Sequence, residues 1–307
     1  MFAVHKAIPL DGSLLLTLGS APADIEVSPS HPLGQGQVQL QLTLQHGRIS
    51  DLRMVLGAGH RGDEKLFEVR DYRQGLSLIN RHNWLTPIAA EIAYAEACEE
   101  LMGLTPPPRA LALRSVVLAL QNITGLLQML AGVDDARRWL TQREIFVALT
   151  ESITGARLHV SFVRLGGVAE AVAPTIIDNL RSELARLEIE ADTHTPLRPL
   201  TVALRDAVTV GIRACAEAQQ TDGAIAVALP KVVRVPVGQA YREVDATTGK
   251  VGVWLHSDGG KTPLRVGLRA PSVVAVSHWE KQSVGSTLDD ALTTLLLTPL
   301  CIGEIER

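Results

Sequence analysis

His60-Arg61-Gly62-Asp63-Glu64-Lys65-Leu66 is the stretch at which the spacing of apolar residues changes. Upstream, apolar and polar residues alternate. Downstream, apolar residues recur every three or four positions, the period of a helix with one buried face. The stretch itself packs five ionisable groups into six residues, and Glu68, Arg70, Asp71 and Arg73 follow closely. Such a cluster reads either as the solvated start of a helix laced with local ion pairs, or as a polar network facing a redox centre or an anion.

On its N-terminal side, the first 56 residues read as β. From Gln37 to Leu44 the chain alternates strictly, with Val38, Leu40, Leu42 and Leu44 on one face and Gln37, Gln39, Gln41 and Thr43 on the other. Gln45-His46-Gly47-Arg48 is a turn, and Ile49 to Leu56 is the partner strand of a hairpin. A sheet with one wet face is expected to be antiparallel.

On the C-terminal side, helices are predicted over Asp63–Asn80 and from Thr86 to Met102. Thr86 is the expected N-cap, Pro87 the first helical residue and Gly103 the stop. Further helices are predicted over Arg109–Leu130, closed by Gly132, and over Asp135–Ile153, Thr175–Glu190 and Leu200–Gln219. A strand is predicted near 157–164. The last third returns to β, with Val251–His256 and Leu264–Arg269 flanking Ser257-Asp258-Gly259-Gly260, and a short helix over Leu288–Leu297 before the tail. Runs of strand, then helix, then strand define an α+β chain: an N-terminal antiparallel β region (1–60), a helical core (61–220) and a C-terminal β region with a tail (221–307).

Composition limits the function. The chain has 307 residues, 46% apolar and 20% charged, with a net charge of −4. It can bury about three quarters of its unfolded surface, so it is globular and not disordered. Its 29 basic residues are outnumbered by 33 acidic ones and form no cluster, which argues against a nucleic-acid binder. Cys98, Cys215 and Cys301 lie far apart, so neither a disulfide framework nor a thiolate metal knot is expected, and the chain reads as cytosolic. Met1 to Lys6 does not open a signal peptide. Ala110–Val133 is apolar but carries Arg114, Gln121, Asn122 and Gln128, which mark a core helix and not a membrane span. There is no GxGxxG, GxxxxGK[ST], GxSxG or HExxH, and no histidine pair at metal-ligand spacing.

The His60–Leu66 stretch resembles the HRGxEKL signature of the 49-kDa subunit of respiratory complex I. That family comprises the D subunits of the bacterial NADH:quinone oxidoreductases, in the nickel–iron hydrogenase large-subunit superfamily. Asn80-Arg81-His82-Asn83-Trp84 is similar to its DRLDY, and Pro107-Pro108-Arg109-Ala110 with Arg114 to its VPPRAQYIR. Arg143-Glu144, Thr154-Gly155-Ala156-Arg157 and Arg164-Leu165-Gly166-Gly167-Val168 track its RE…TGxRF…RIGGV. Ser257–Gly260, Arg269-Ala270-Pro271-Ser272 and Gly303-Glu304-Ile305-Glu306-Arg307 match SDGG, RAPS and GEVDR.

The resemblance implies the superfamily's fold and a place in the peripheral arm of a membrane-associated oxidoreductase, on the cytoplasmic face of the inner membrane. The chain would contact the B, C, H and I subunits, with membrane contact only through them. It would line a quinone cavity beside an iron–sulfur cluster held by a partner subunit, and bind no cofactor or metal of its own. Quinone-cavity candidates are then Gln35, Trp84 and His31. Near-cluster candidates are His60, Arg61, Glu64 and Leu126, and interface candidates are Arg265, Arg269 and Asp258.

The departures from the pattern are specific. A central block between about Thr195 and Leu204 is missing. Gln35 stands where the family has its quinone histidine in HPxxHG, and Trp84 stands where it has the tyrosine of DRLDY. Neither residue delivers a proton near neutral pH. Ala119, Asn122 and Leu126 replace the glutamate, arginine and histidine of AELxRIxxHL. The hydrogenase nickel thiolates fall on Asn83, Thr86 and the lone Cys301, so no nickel and no hydrogenase activity are expected. Two readings follow: a divergent quinone-reducing subunit, or a non-catalytic structural paralogue in a hydrogenase-related membrane complex whose quinone site is lost.

Overall fold

The computed structural model describes residues 6–8, 23–27, 38–191 and 198–306. His31 and Gln35 lie outside the described residues. The first sheet has the order β1 (Lys6–Ile8), β2 (Ala23–Val27), β3 (Val38–Gln45), β4 (Arg48–Val55). The pair β1–β2 is parallel; β2–β3 and β3–β4 are antiparallel. In the tight β3–β4 turn, His46 and Gly47 both take positive φ (53° and 75°), the geometry that matches the twist of a two-residue hairpin. Val38, Leu40, Leu42 and Leu44 are all buried, as their alternation requires.

The helices begin with α1 (Asp63–Phe67) and α2 (Tyr72–Ile79), two elements where one was expected. The cause is a capping box. Asp71 accepts the N–H groups of Arg73 and Gln74 at 3.0 and 2.9 Å, and the Gln74 side chain accepts the Asp71 N–H. Next come α3 (Pro87–Met102), α4 (Pro108–Val133), α5 (Ala136–Thr154), α6 (Pro174–Ala191) and α7 (Arg198–Gln220). Gly132 does not close α4, which runs one residue further and is capped by Asp134. By length and composition α4 could cross a membrane, but it packs on α3, α5 and α7 with most of its surface buried.

The strand expected near 157–164 shrinks to β5 (Val163–Arg164), which pairs only with β6 (Gly167–Val168). A side chain replaces the ladder here: the Glu91 carboxylate takes the N–H groups of Phe162 and Val163.

The last third is a three-stranded antiparallel sheet followed by helices, not a β region alone. The sheet comprises β7 (Gly238–Ala246), β8 (Gly249–Ser257) and β9 (Arg265–Arg269). The helices are α8 (Pro271–Ser283), α9 (Leu288–Leu297) and α10 (Ile302–Ile305). The two parts of this third join different cores. The sheet packs on α3 in the main helical core. The helices cover the N-terminal sheet, where Trp279, Leu288, Leu292 and Leu295 meet Leu40, Leu42 and Met54. Glu280 accepts the Met54 N–H at 2.8 Å, and Ile49 exchanges backbone hydrogen bonds with 285–286, so segments near α8 satisfy the β4 edge.

Candidate functional site

Three groups of residues converge around the start of α3. The first begins at Glu91, a fully buried acid in the apolar first half of α3. One carboxylate oxygen accepts the Asn80 amide at 3.0 Å, and the other accepts the N–H groups of Phe162 and Val163 at 3.3 and 3.1 Å. Burial pushes its pKa up to about 7, against the pull of these donors. The Asn80 carbonyl in turn faces His159 Nδ1 at 2.9 Å. A carbonyl only accepts, so Nδ1 carries the proton and the lone pair of the neutral ring lies on Nε2. Burial, then the positive charges of Arg81 and Arg61, hold His159 below its ordinary value. Arg61, expected near a cluster, therefore shares its surroundings with His159 and Arg81. Leu126 does not: it lies in the main apolar core.

The second group surrounds Trp84, which edges a small enclosed pocket with Gln121, Gln128, Arg143, Thr150 and Arg157. Its free volume is about 10 Å³, close to the minimum for one water molecule. No acidic residue lines it. Gln128 also lines a second, apolar slot of about 30 Å³ between the end of α4, the N-terminal sheet and α9, with Met54, Met129, Leu295 and Leu300.

The third group is built on Asn83, Thr86 and Cys301, the positions on which the resemblance puts the hydrogenase nickel thiolates. Asn83 and Thr248 donate to Glu304 Oε1, the latter at 2.9 Å. The Ser272 hydroxyl donates to the other oxygen of the same carboxyl, and the Cys301 N–H donates to Ser272 at 2.9 Å. Glu304 is fully buried, and burial raises its pKa. The Asn83 side-chain amide oxygen accepts the N–H groups of Leu85 and Thr86 at 2.8 and 3.0 Å, ahead of the helix, while the capping expected of Thr86 falls to Gln121, whose amide oxygen accepts the Ile88 N–H at 2.9 Å. The Thr86 hydroxyl instead meets Asn122 and Thr247. Burial pushes the lone Cys301 thiol up to about 11, so it stays protonated at neutral pH. A neutral thiol among amide, hydroxyl and carboxyl groups does not fit a nickel site that needs four thiolates.

The remaining candidates have local partners. His60 is exposed. Arg61 pairs with Asp63 at 3.1 Å on the surface. Glu64 accepts the Leu268 N–H at 2.8 Å and ties α1 to β9. Arg265 pairs with Glu68 and Arg269 with Glu243, each at 2.9 Å, within the chain. Asp258 accepts the Gly260 N–H at 2.9 Å, the work of a turn aspartate. Glu91, Arg143 and His159 are not among the site residues that the motifs single out. For Glu91 the sequence does hold a signal, a lone acid inside the apolar run Pro87–Tyr94.

The sequence profile of the family described as "Respiratory-chain NADH dehydrogenase, 49 Kd subunit" matches residues 137–211 and 213–307. The chain belongs to this family. The D subunit of the NADH-quinone oxidoreductase of Carboxydothermus hydrogenoformans is 28% identical over 356 residues, covering 92% of this chain and 98% of the relative. A D subunit of the Streptomyces griseus NADH-quinone oxidoreductase is 26% identical over 362 residues, covering 92% of each. Among solved structures, a chain of an archaeal respiratory membrane complex, the membrane-bound sulfane sulfur reductase, superposes with a TM-score of 0.82. It is 22% identical and covers 97% of this chain and 100% of its own. That likeness bears out the α+β fold.

Proposed function

We propose that this chain is the 49-kDa-type component of a complex I-like, membrane-associated oxidoreductase. In this reading it forms one wall of the acceptor cavity, with Trp84 at its edge. The face carrying Arg61, Arg81 and His159 lies toward an iron–sulfur cluster held by a partner subunit. The observation that carries the reading is His159 itself, its Nδ1 bound to the Asn80 carbonyl at 2.9 Å and its Nε2 without a hydrogen bond among the described residues, within the field of Arg81 and Arg61. Two cations favour an electron arriving nearby through Coulomb attraction, and a neutral imidazole is ready to accept the proton that balances it. The chain would act with the B, C, H and I subunits, at the cytoplasmic face, and would hold no cofactor itself.

One observation favours the second reading, a structural paralogue with the quinone site lost. The pocket beside Trp84 has room for about one water-sized group, far less than a quinone ring needs. Both readings are tested by tagging the chain, solubilising native membranes gently and identifying what co-purifies by mass spectrometry. Recovery with cluster-bearing and membrane subunits, plus donor-driven quinone reduction by that sample, is expected of the first reading. The same subunits without quinone reduction would support the second. Recovery of the chain alone would sink both.

A further inference from the structure

We propose that the pocket between Trp84, Gln128 and Arg143 is a binding site for a small, compact monovalent anion of halide or hydrosulfide size. The inference concerns this chain's own residues and stands whether or not the chain works in a quinone-reducing complex.

Arg143 carries the argument. It lies on α5, half-buried, and its Nε is fully buried with no hydrogen-bond partner. The rest of its guanidinium makes no hydrogen bond or ion pair among the described residues. A guanidinium has five donors, and leaving buried donors unmade is costly. Two charged neighbours act on it. Arg157, which lines the same pocket, opposes its charge. Glu144 favours it but is held at 2.6 Å by Arg157, which also takes Glu151 at 2.8 Å. Both acids are exposed and neither lines the pocket.

The other polar groups here point to the same ligand. Gln128 and Trp84, both half-buried, line the same pocket, and among the described residues their side chains make no protein hydrogen bond. The indole N–H can only donate, the amide can donate, and the guanidinium brings a positive charge. One buried, unpartnered guanidinium N–H, with two further donor-bearing side chains in a lining that holds no carboxylate, matches an acceptor that carries negative charge. Size then selects within that class. A free volume of about 10 Å³ admits one compact group and excludes a phosphate or a ring. Desolvation strengthens the attraction, because the pocket walls include Leu85, Pro87 and Leu158.

The test uses the full-length chain and sodium bromide at constant ionic strength. A bound heavy halide quenches tryptophan emission, and Trp84 lines the pocket. Saturable quenching is expected, and Trp84→Phe should remove the saturable part. Arg143→Gln should weaken the bromide affinity about tenfold or more, as expected for losing a charged hydrogen bond. Gln128→Leu should weaken it less, and this milder substitution carries the test if Arg143→Gln does not fold. In crystals soaked in bromide, an anomalous peak should lie beside Arg143. Competition with chloride and with hydrosulfide then separates the two sources of such an anion, and displacement by either supports the site. Quenching that rises linearly without saturation, or saturates equally in Arg143→Gln and Gln128→Leu, overturns the proposal. So does a soaked crystal with only water in the pocket.

Discussion

The Glu91 carboxyl holds the Asn80 side chain at 3.0 Å, with both residues buried, and through it fixes the carbonyl that orients His159. Because burial lifts the Glu91 pKa from 4.5 to about 7, the folded protein keeps a proton that the unfolded chain gives up. The stabilising contribution is complete below pH 4.5 and is lost as pH rises through about 7. The full effect is on the order of 3 kcal/mol. Glu91→Gln should remove this slope. It should also lower stability at acid pH, because the amide keeps one accepting oxygen where the carboxyl group uses two, and its NH2 meets either the Asn80 amide or the N–H groups of Phe162 and Val163. Urea midpoints at pH 5, 6, 7 and 8 measure both effects, and an unchanged slope in the variant would mean another group titrates.

Arg114 and Glu99 form a second buried device, a two-pronged ion pair at 2.6 and 3.0 Å. Arg114 also donates to the Arg164 and Gly167 carbonyls, and Glu99 accepts the Gly166 N–H, so the pair anchors the turn between β5 and β6. Arg114→Met or Glu99→Gln alone should cost about 3–5 kcal/mol, since each strands a buried charge. The double variant should cost less than the sum, and a denaturation cycle over the four proteins reads the coupling directly.

Gly167 lies where a side chain has no room. An added Cβ would come within 2.2 Å of the Ile225 carbonyl oxygen and 2.5 Å of Ala226 Cα, both backbone atoms. Gly167→Ala should therefore push the 225–227 strap away from β6 and break the Gly167–Ala226 bridge. A loss of about 1–3 kcal/mol is expected. Hydrogen exchange at the Val168 and Val227 amides, which bond across this contact, should rise well above the global change.

His159 offers a titration visible to NMR. Its pKa is held below 6.5 by burial first and by Arg81 and Arg61 after that. Arg81→Gln should raise it, and the Arg61→Gln/Arg81→Gln double variant should raise it further. A histidine with a depressed value stabilises the fold above its unfolded pKa and loses that contribution as pH falls. These variants should therefore resist mild acid better than the wild type. A His159 shift that does not move in Arg81→Gln would show that the two side chains are not coupled.

Where a local rule acts alone, the sequence and the fold agree. Val38 to Leu44 alternates because one face is wet, and Pro87 and Gly103 bracket α3 because each suits one end of a helix. Mismatches occur where a distant side chain replaces the backbone partner. Arg157 to Arg164 alternates like a strand, yet Glu91 takes the N–H groups a neighbouring strand would have used. Thr86 has the chemistry of an N-cap, but Gln121 on α4 takes the free Ile88 amide, and the threonine turns to Asn122 and Thr247. The family was legible from short ordered motifs. The site was less so: Trp84 falls beside a pocket, but the unpartnered Arg143 shows itself only when α4 and α5 are packed together.

The shared core of the N-terminal sheet and the last helices has a consequence for synthesis. Leu40, Leu42, Leu52 and Met54 are covered by residues between Val276 and Ile302. About 220 residues separate the hairpin from that cover, so at ribosomal speed the apolar face of the sheet waits roughly ten to forty seconds for its partner. During that interval the hairpin is a sticky, half-finished surface in a crowded cell. Chaperone demand during translation, and the fate of messages that stall before codon 276, become part of this protein's biology.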